Sequence, residues 1–330
     1  MRKVISLWVL LPLQMVWSSV YAEGTDYGTD SELIQQVERE KNQAHWSGLP
    51  IWGEQVREMG YELPIPVGFG IYMNTQDVEY VATDDFHVNA VGGVLGGLGH
   101  SPLSQCKRTP GMDCSQQYSI PAEDVRITGQ DKSIQLRLDA WVFPFLNVYG
   151  LAGYTKGSKE ILADLSNAKM GDTAFPIPAT LPLNLEYEAY NLGLGSVLAT
   201  QFDVAKGINP IILTVAGAVT NSWTTTTDST ILTKIAAVRV GQRYDVPYGK
   251  LALLVGYQYQ SIEQNITGSL SDLGVLANEL QFDVDLKSKH TSNMSLAAVY
   301  DFGYQKEWNL MAEYSFLNWN QLIVSMGYRF

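Results

Sequence analysis

The residues able to activate water or act as nucleophiles are few and scattered. Two groups combine acids with a histidine: Asp84, Asp85 and His87, and Asp283, Asp285 and His290. Each group contains the residue types of general acid–base catalysis, although acidic clusters on loops are usually only solvated. His100–Ser101 places a base beside a hydroxyl, but adjacent side chains rarely point at each other and no third group orients them. We therefore assign no catalytic residue and predict no cofactor.

The N-terminus indicates export. Arg2 and Lys3 precede an apolar run, and small or polar residues lead to Ala22, which predicts a secretory signal peptide over residues 1–22. An uncleaved membrane anchor is the alternative. Cleavage removes two of the 22 Lys and Arg residues and none of the 34 Asp and Glu residues, leaving a net charge of −14. This acidity argues against nucleic acid as a partner.

The two cysteines, Cys106 and Cys114, are separated by seven residues in a stretch rich in turn-forming residues. In the oxidising compartment to which a signal peptide leads, we expect them to form a small-loop disulfide. The alternative is a metal site, but two thiols with only His100 nearby fall short of the usual four ligands. We therefore predict no metal.

Alternation of apolar and polar residues indicates strands. In the last ten residues, Leu322, Val324, Met326, Tyr328 and Phe330 fall on one face. The same period of two recurs at 250–260, 293–303 and 309–316, and each apolar face finishes in aromatic residues. A soluble sandwich would turn a charged face outward, whereas aromatic ends suit strands that leave hydrocarbon for the headgroup layer. The pattern predicts an all-β, transmembrane antiparallel up-and-down β-barrel.

With its signal peptide, repeated strands and final segment 324–330, the chain resembles the bacterial (Gram-negative) outer-membrane β-barrels. The resemblance implies Sec-type export to the outer membrane, with lipid, lipopolysaccharide and the barrel assembly machinery as partners. It also implies that Tyr328 and Phe330 belong to the assembly signal. The two acid–histidine groups resemble in residue type those of the outer-membrane proteases of the omptin class, although the surrounding motifs do not match. A protease or a lipid-modifying enzyme is therefore a minor alternative.

Turn chemistry predicts ten strands within residues 64–330, or twelve if the first loop hides another hairpin. The first strand is expected near 65–82, an outer loop at 158–182 and one long strand over 279–303. Residues 23–63 read instead as a periplasmic or lumenal helical segment, with apolar positions at helical spacing. It could be a plug in the barrel, a lid or docking surface at the periplasmic mouth, or a tether packed on the rim.

The inward face of such a barrel is expected to carry any transport function. The candidate lumen-lining residues are Arg137, Asp139, Arg239, Arg243, Lys250, Asp301 and Glu313. They would line a selective polar pore, or they would form an internal ion-pair network that fills a narrow barrel. Small inward residues favour free space. We therefore predict a porin-like channel for small polar solutes, with a closed structural or adhesin-like surface barrel as the alternative.

Overall fold

The computed structural model describes residues 48–58, 63–91, 115–170, 173–174, 176, 178–202, 204, 208–225, 229–269 and 280–330. The predicted signal peptide, both cysteines, His100–Ser101 and most of the segment 23–63 lie outside these residues. Helix α1 spans Gly53–Glu58. No helix in the described ranges is long and apolar enough to cross a membrane.

Fifteen strands are assigned in the described part of the chain. They are β1 (Val67–Ala82), β2 (Phe86–Val91), β3 (Ser115–Ile120), β4 (Val125–Phe143), β5 (Leu146–Asp164), β6 (Lys169–Met170), β7 (Thr173–Ala174), β8 (Thr180–Phe202), β9 (Ile211–Thr224), β10 (Thr230–Val246), β11 (Gly249–Ser269), β12 (Leu280–Ser288), β13 (Ser292–Phe302), β14 (Trp308–Phe316) and β15 (Gln321–Arg329).

Ten of these strands close into an antiparallel barrel, as predicted. The order around the wall is β1, β4, β5, β8, β9, β10, β11, β13, β14 and β15, and β15 pairs with β1 to close the ring. The hairpin that might have given twelve strands exists, as β2 and β3, but it pairs with β12. It cannot enter the wall because β1 and β4 pair directly with each other from Val67 to Tyr80.

The predicted long strand over 279–303 is two strands. β13 pairs with the first half of β11, from Gly249 to Tyr259, and β12 pairs with its second half, from Glu263 to Ser269. β12 also pairs with the outer end of β1, where Tyr80 lies opposite Ser288. Because β13, β14 and β15 have only 11, 9 and 9 residues, β12 closes the wall beyond the point where they end.

The outward-facing side chains of the strands change from apolar to polar along the length of the strands, while the period of two is kept. On β4, Ile134, Leu136 and Leu138 point outward and are exposed, but farther toward the long-loop end Lys132 and Gln130 take that face. The same change occurs on β5, β8, β10 and β11. We call the apolar outer zone the belt, and the part of the strands beyond it, toward the long loops, the head.

The inner face changes in the opposite sense. Inside the belt it is mostly polar, apart from a small apolar cluster on β9, β11 and β13 (Ile212, Ala252, Leu254 and Ala297), whereas inside the head it carries a larger packed apolar core. Among the most buried members of that core are Phe86, Ile120, Ile161, Leu183 and Ile266, from five different strands. The belt therefore has apolar side chains toward its surroundings, and the head is built like a water-soluble domain.

Candidate functional site

The barrel interior at the level of the belt is bridged by ion pairs between distant strands. Arg239 on β10 donates two hydrogen bonds to the Glu313 carboxylate on β14, both at 2.8 Å. The Ser295 hydroxyl donates a third bond to Glu313, at 2.7 Å. Glu313 is only 1% exposed. This bidentate, buried pair is the strongest ionic contact of the interior.

A second cluster joins β4, β5 and β15. Asp139 accepts bonds from Arg329, at 2.7 and 3.0 Å, and from the Asn147 amide, at 3.0 Å. Arg137 donates to the Asn147 side-chain oxygen, at 2.8 Å, and to the Tyr72 hydroxyl, at 2.9 Å. Each charge here has an opposite charge or a strong hydrogen-bond partner, although the Nε atom of Arg137 makes no hydrogen bond and lies 3.8 Å from Asp139.

A third group joins β10, β13 and β14. Arg243 contacts Asp301 at 3.2 Å, and the Asn309 amide donates to Asp301 at 2.6 Å. Lys250 lies directly opposite Asp301 in the β11–β13 register. The structure thus distributes the seven candidate lumen residues over three groups: Arg137 with Asp139, Arg239 with Glu313, and Arg243 and Lys250 around Asp301.

A layer of amides lies above the ion pairs. Gln258 donates to Gln321 at 2.9 Å, and Gln321 donates to Asn74 and Gln76 at 3.1 and 3.2 Å. Gln260 also donates to Gln76, at 3.2 Å. These bonds connect β1, β11 and β15 across the lumen. Sequence reasoning missed this layer because an uncharged amide on an alternating strand gives no signal of its partner.

A buried lysine marks the base of the head. Lys159 lies beyond the belt, 2% exposed, with its ammonium bonded to the Gln264 side-chain oxygen and placed over the Tyr80 and Tyr187 rings at 4.9 and 4.5 Å. Burial lowers the pKa of Lys159 to about 8, and the nearby Asp131 charge opposes this shift. The sequence prediction placed this residue in a loop and so missed it.

The small inward residues accommodate their neighbours. A Cβ atom on Gly256 would lie 3.0 Å from Cγ of Arg239, and one on Gly195 would collide with the Tyr149 ring. The expectation that such residues leave free space is therefore wrong at these positions, because large side chains from adjacent strands occupy it. Several inward polar groups are accordingly buried, with Ser295 at 1% and Ser325 at 3% exposure, whereas the Arg243 and Asp301 side chains are 34% and 25% exposed.

The acid–histidine groups are only partly assembled. Asp283 lies opposite His87 in the β2–β12 register, and the Asn265 amide donates to Asp283 and Asp285 at 3.1 and 2.8 Å. His290 lies beyond the other end of β12, in the electrostatic range of Glu79. No cluster of three or more potential metal ligands occurs within the described ranges.

The segment before the barrel touches its short-turn rim. The Ile51 amide donates to the Val142 carbonyl at 2.8 Å. The Trp52 ring lies 4.9 Å from Phe143 and 6.4 Å from Phe145, in the β4–β5 hairpin. Ile51 and Trp52 therefore pack on the rim, and the tether interpretation of residues 23–63 stays a prediction.

Aromatic rings mark both edges of the belt. At the short-turn end, Trp308 packs against Tyr328 with ring centroids 4.9 Å apart. At the long-loop end, Tyr154 and Tyr190 pair at 5.8 Å. β15 crosses this zone with nine residues, about the number that a tilted strand needs to span hydrocarbon.

A closed barrel satisfies its backbone within the wall and can therefore place an apolar, aromatic-edged belt in lipid. The structure is therefore that of a membrane-spanning antiparallel β-barrel, and placing it in the predicted bacterial outer membrane gives its orientation. Its short turns at 144–145, 247–248 and 303–307 face the periplasm, because such barrels have short periplasmic turns and longer outer loops. The head therefore lies on the extracellular side.

No family model and no curated protein matches the chain. Among solved structures, it is similar to the translocator domain of autotransporter NalP from Neisseria meningitidis, with 9% identity, a TM-score of 0.32, and coverage of 91% of this chain and 98% of that one. The β-domain of the Bordetella autotransporter BrkA gives 9% identity, a TM-score of 0.34, and coverage of 80% and 100%. The Ralstonia pickettii toluene transporter TbuX gives 8% identity, a TM-score of 0.32, and coverage of 81% and 90%. Similarities this remote assign neither a family nor a function.

Proposed function

We propose that the protein is a closed outer-membrane barrel that acts through its extracellular head, as a surface-binding or structural protein. The observation that carries this proposal is the burial of many lumen-facing polar side chains. Glu313, Ser295 and Ser325 are between 1% and 3% exposed. In a water-filled pore the same positions would be hydrated, and their ion pairs would be spread around the wall to select solutes.

The head supports the proposal in two ways. Its apolar core covers the lumen on the extracellular side, above the amide layer and the ion pairs. Its outer face on β1, β4, β5 and β8 is polar and acidic, with Asp77, Glu79, Glu160 and Glu186 lining a groove of about 680 Å³. This groove is a surface on which the head could meet a binding partner.

Cysteine accessibility tests the proposal. In a Cys106→Ser/Cys114→Ser background, we expect Ser325→Cys in the lumen to resist a charged, membrane-impermeant maleimide in the refolded full chain. Asn318→Cys, on the exposed loop between β14 and β15, is the matched control and should react quickly. Both variants should react after denaturation.

Conductance gives an independent measurement. The refolded full chain, with insertion verified by heat-modifiable mobility, should give no single-channel steps in a planar bilayer. Steps from the full chain, together with labelling of Ser325→Cys as fast as that of Asn318→Cys, would replace this proposal with the porin-like channel.

A further inference from the structure

Two lysines stand at the outer edge of the belt, on neighbouring strands. Going outward along β4, Ile134 is the last apolar residue of the outer face and Lys132 is the first charged one. On β5, Lys156 follows Tyr154 in the same way. Both lysines are exposed, at the level where the hydrocarbon of the outer leaflet gives way to its headgroups.

The two positive charges are placed against each other. Lys132 lies directly opposite Lys156 in the β4–β5 register, and like charges in this position destabilise a sheet. On the other side of Lys156, Glu188 lies directly opposite it in the β5–β8 register, with Oε1 at 4.0 Å from the Lys156 ammonium, so one negative charge meets the two positive ones. Glu188 also bonds to the Tyr154 hydroxyl. Lys132 has no bond partner among the residues that the structure describes, so the pair carries an excess of positive charge.

We propose that Lys132 and Lys156 bind a phosphate group of an outer-leaflet glycolipid. One phosphate between the two ammonium groups neutralises the excess charge and accepts hydrogen bonds from both. The acyl chains of the same molecule lie against Ile134 and Leu136 below. The Tyr154–Tyr190 ring pair lies at the interface between headgroup and chains.

The charge distribution favours a lipid over a soluble anion. The outer face of the head beyond the lysines carries Asp77, Glu160 and Glu186, together with Glu79, which is ion-paired with Lys289 at 2.7 Å, and the chain as a whole has a net charge of −12. An anion that approaches from solution meets this acidic surface first. A lipid phosphate reaches the lysines from within the membrane plane and therefore does not pass this acidic surface.

A third lysine provides a matched control. Lys234 on β10 is also the first charged residue beyond the belt on its strand. Its ammonium lies 3.0 Å from the Glu263 carboxylate, so its charge is already neutralised. We therefore expect Lys234 to contribute little to phosphate binding.

The test titrates the refolded full chain in neutral detergent with diphosphorylated lipid A, measuring binding by native mass spectrometry. Each of Lys132→Ala and Lys156→Ala should weaken binding about fivefold, and the double variant about 25-fold, since a lysine near an anionic surface contributes about 1 kcal/mol. Lys234→Ala should change affinity less than about twofold, and Lys132→Arg/Lys156→Arg should retain binding. Heat-modifiable mobility verifies that each variant is folded.

Three further arms separate the sources of binding. Dephosphorylated lipid A with the same acyl chains should bind at least about tenfold more weakly, and millimolar inorganic phosphate and EDTA should each leave lipid binding unchanged. Equal affinity for the dephosphorylated lipid, or an unaffected double variant, would overturn the proposal. Displacement by inorganic phosphate would reassign the site to free anions, and loss with EDTA would reassign binding to a cation held by Glu188.

Discussion

Glu313 offers the sharpest test of how the lumen is held closed. Glu313→Ala removes the acceptor of two 2.8 Å bonds from Arg239 and of one 2.7 Å bond from Ser295. The guanidinium of Arg239, whose side chain is 19% exposed, would remain inside the barrel without a counter-charge. Breaking a buried pair in this way costs about 3–5 kcal/mol. We expect the free energy of unfolding in lipid vesicles, measured by urea titration with heat-modifiable mobility, to fall by that amount.

Two further variants make the result interpretable. Arg243→Ala disrupts an ion pair with Asp301 that is partly exposed and leaves the Asn309 bond in place, so it should cost only about 1 kcal/mol. Arg239→Met/Glu313→Leu removes both charges and should recover most of the stability. A loss below about 1 kcal/mol for Glu313→Ala, or a double variant no more stable than the single one, would refute the buried-pair reasoning.

Three other predictions address packing, titration and the rim. Gly256→Ala should cost about 1–3 kcal/mol, because its Cβ would contact the Arg239 side chain, whereas Gly217→Ala, with its nearest neighbour 3.9 Å away, should be close to neutral in the same urea titration. The pKa of Lys159 in the folded protein is about 8, against an ordinary 10.5, so the free energy of unfolding of the wild type should rise by up to about 3 kcal/mol from pH 8 to pH 10.5. Lys159→Met should lack this component of the pH dependence. Equal pH profiles for the wild type and the variant would contradict the assigned burial of Lys159. Trp52→Ala should leave barrel unfolding unchanged but speed tryptic cleavage within residues 48–58; unchanged cleavage would mean that the Phe143 contact does not hold the segment.

Sequence alternation was most informative where one face meets lipid. The last strand, its aromatic edge and the ten-strand count are all predictable, since a period of two is a local property and an apolar outer face is readable without partners. The segment 158–182 was interpreted as a loop. In the structure β5 continues to Asp164 and β8 begins at Thr180. The prediction failed there because the apolar side changes from the outer to the inner face, although the period stays the same.

Contacts across the lumen could not be predicted from the sequence. Arg239 and Glu313 are 74 residues apart, and Lys159 and Gln264 are 105 apart. Alternation places Arg239 and Glu313 on the inward face and misses Lys159, but in both pairs the meeting of the two residues depends on the register and closure of the whole wall. Whether the interior is open or filled also depends on that closure, because only the assembled barrel places the Tyr149 ring against Gly195.

The sequence by itself therefore determined the class of fold, the faces of the strands and their number, since these depend on neighbours one and two residues away. The tertiary structure decided that the strands continue past the belt into an apolar-cored head and that the lumen carboxylates each meet an arginine from another strand. It also decided that Lys132 lies opposite Lys156. The physical reason is that strand pairing sets these contacts, and the pairing depends on the closure of all ten strands.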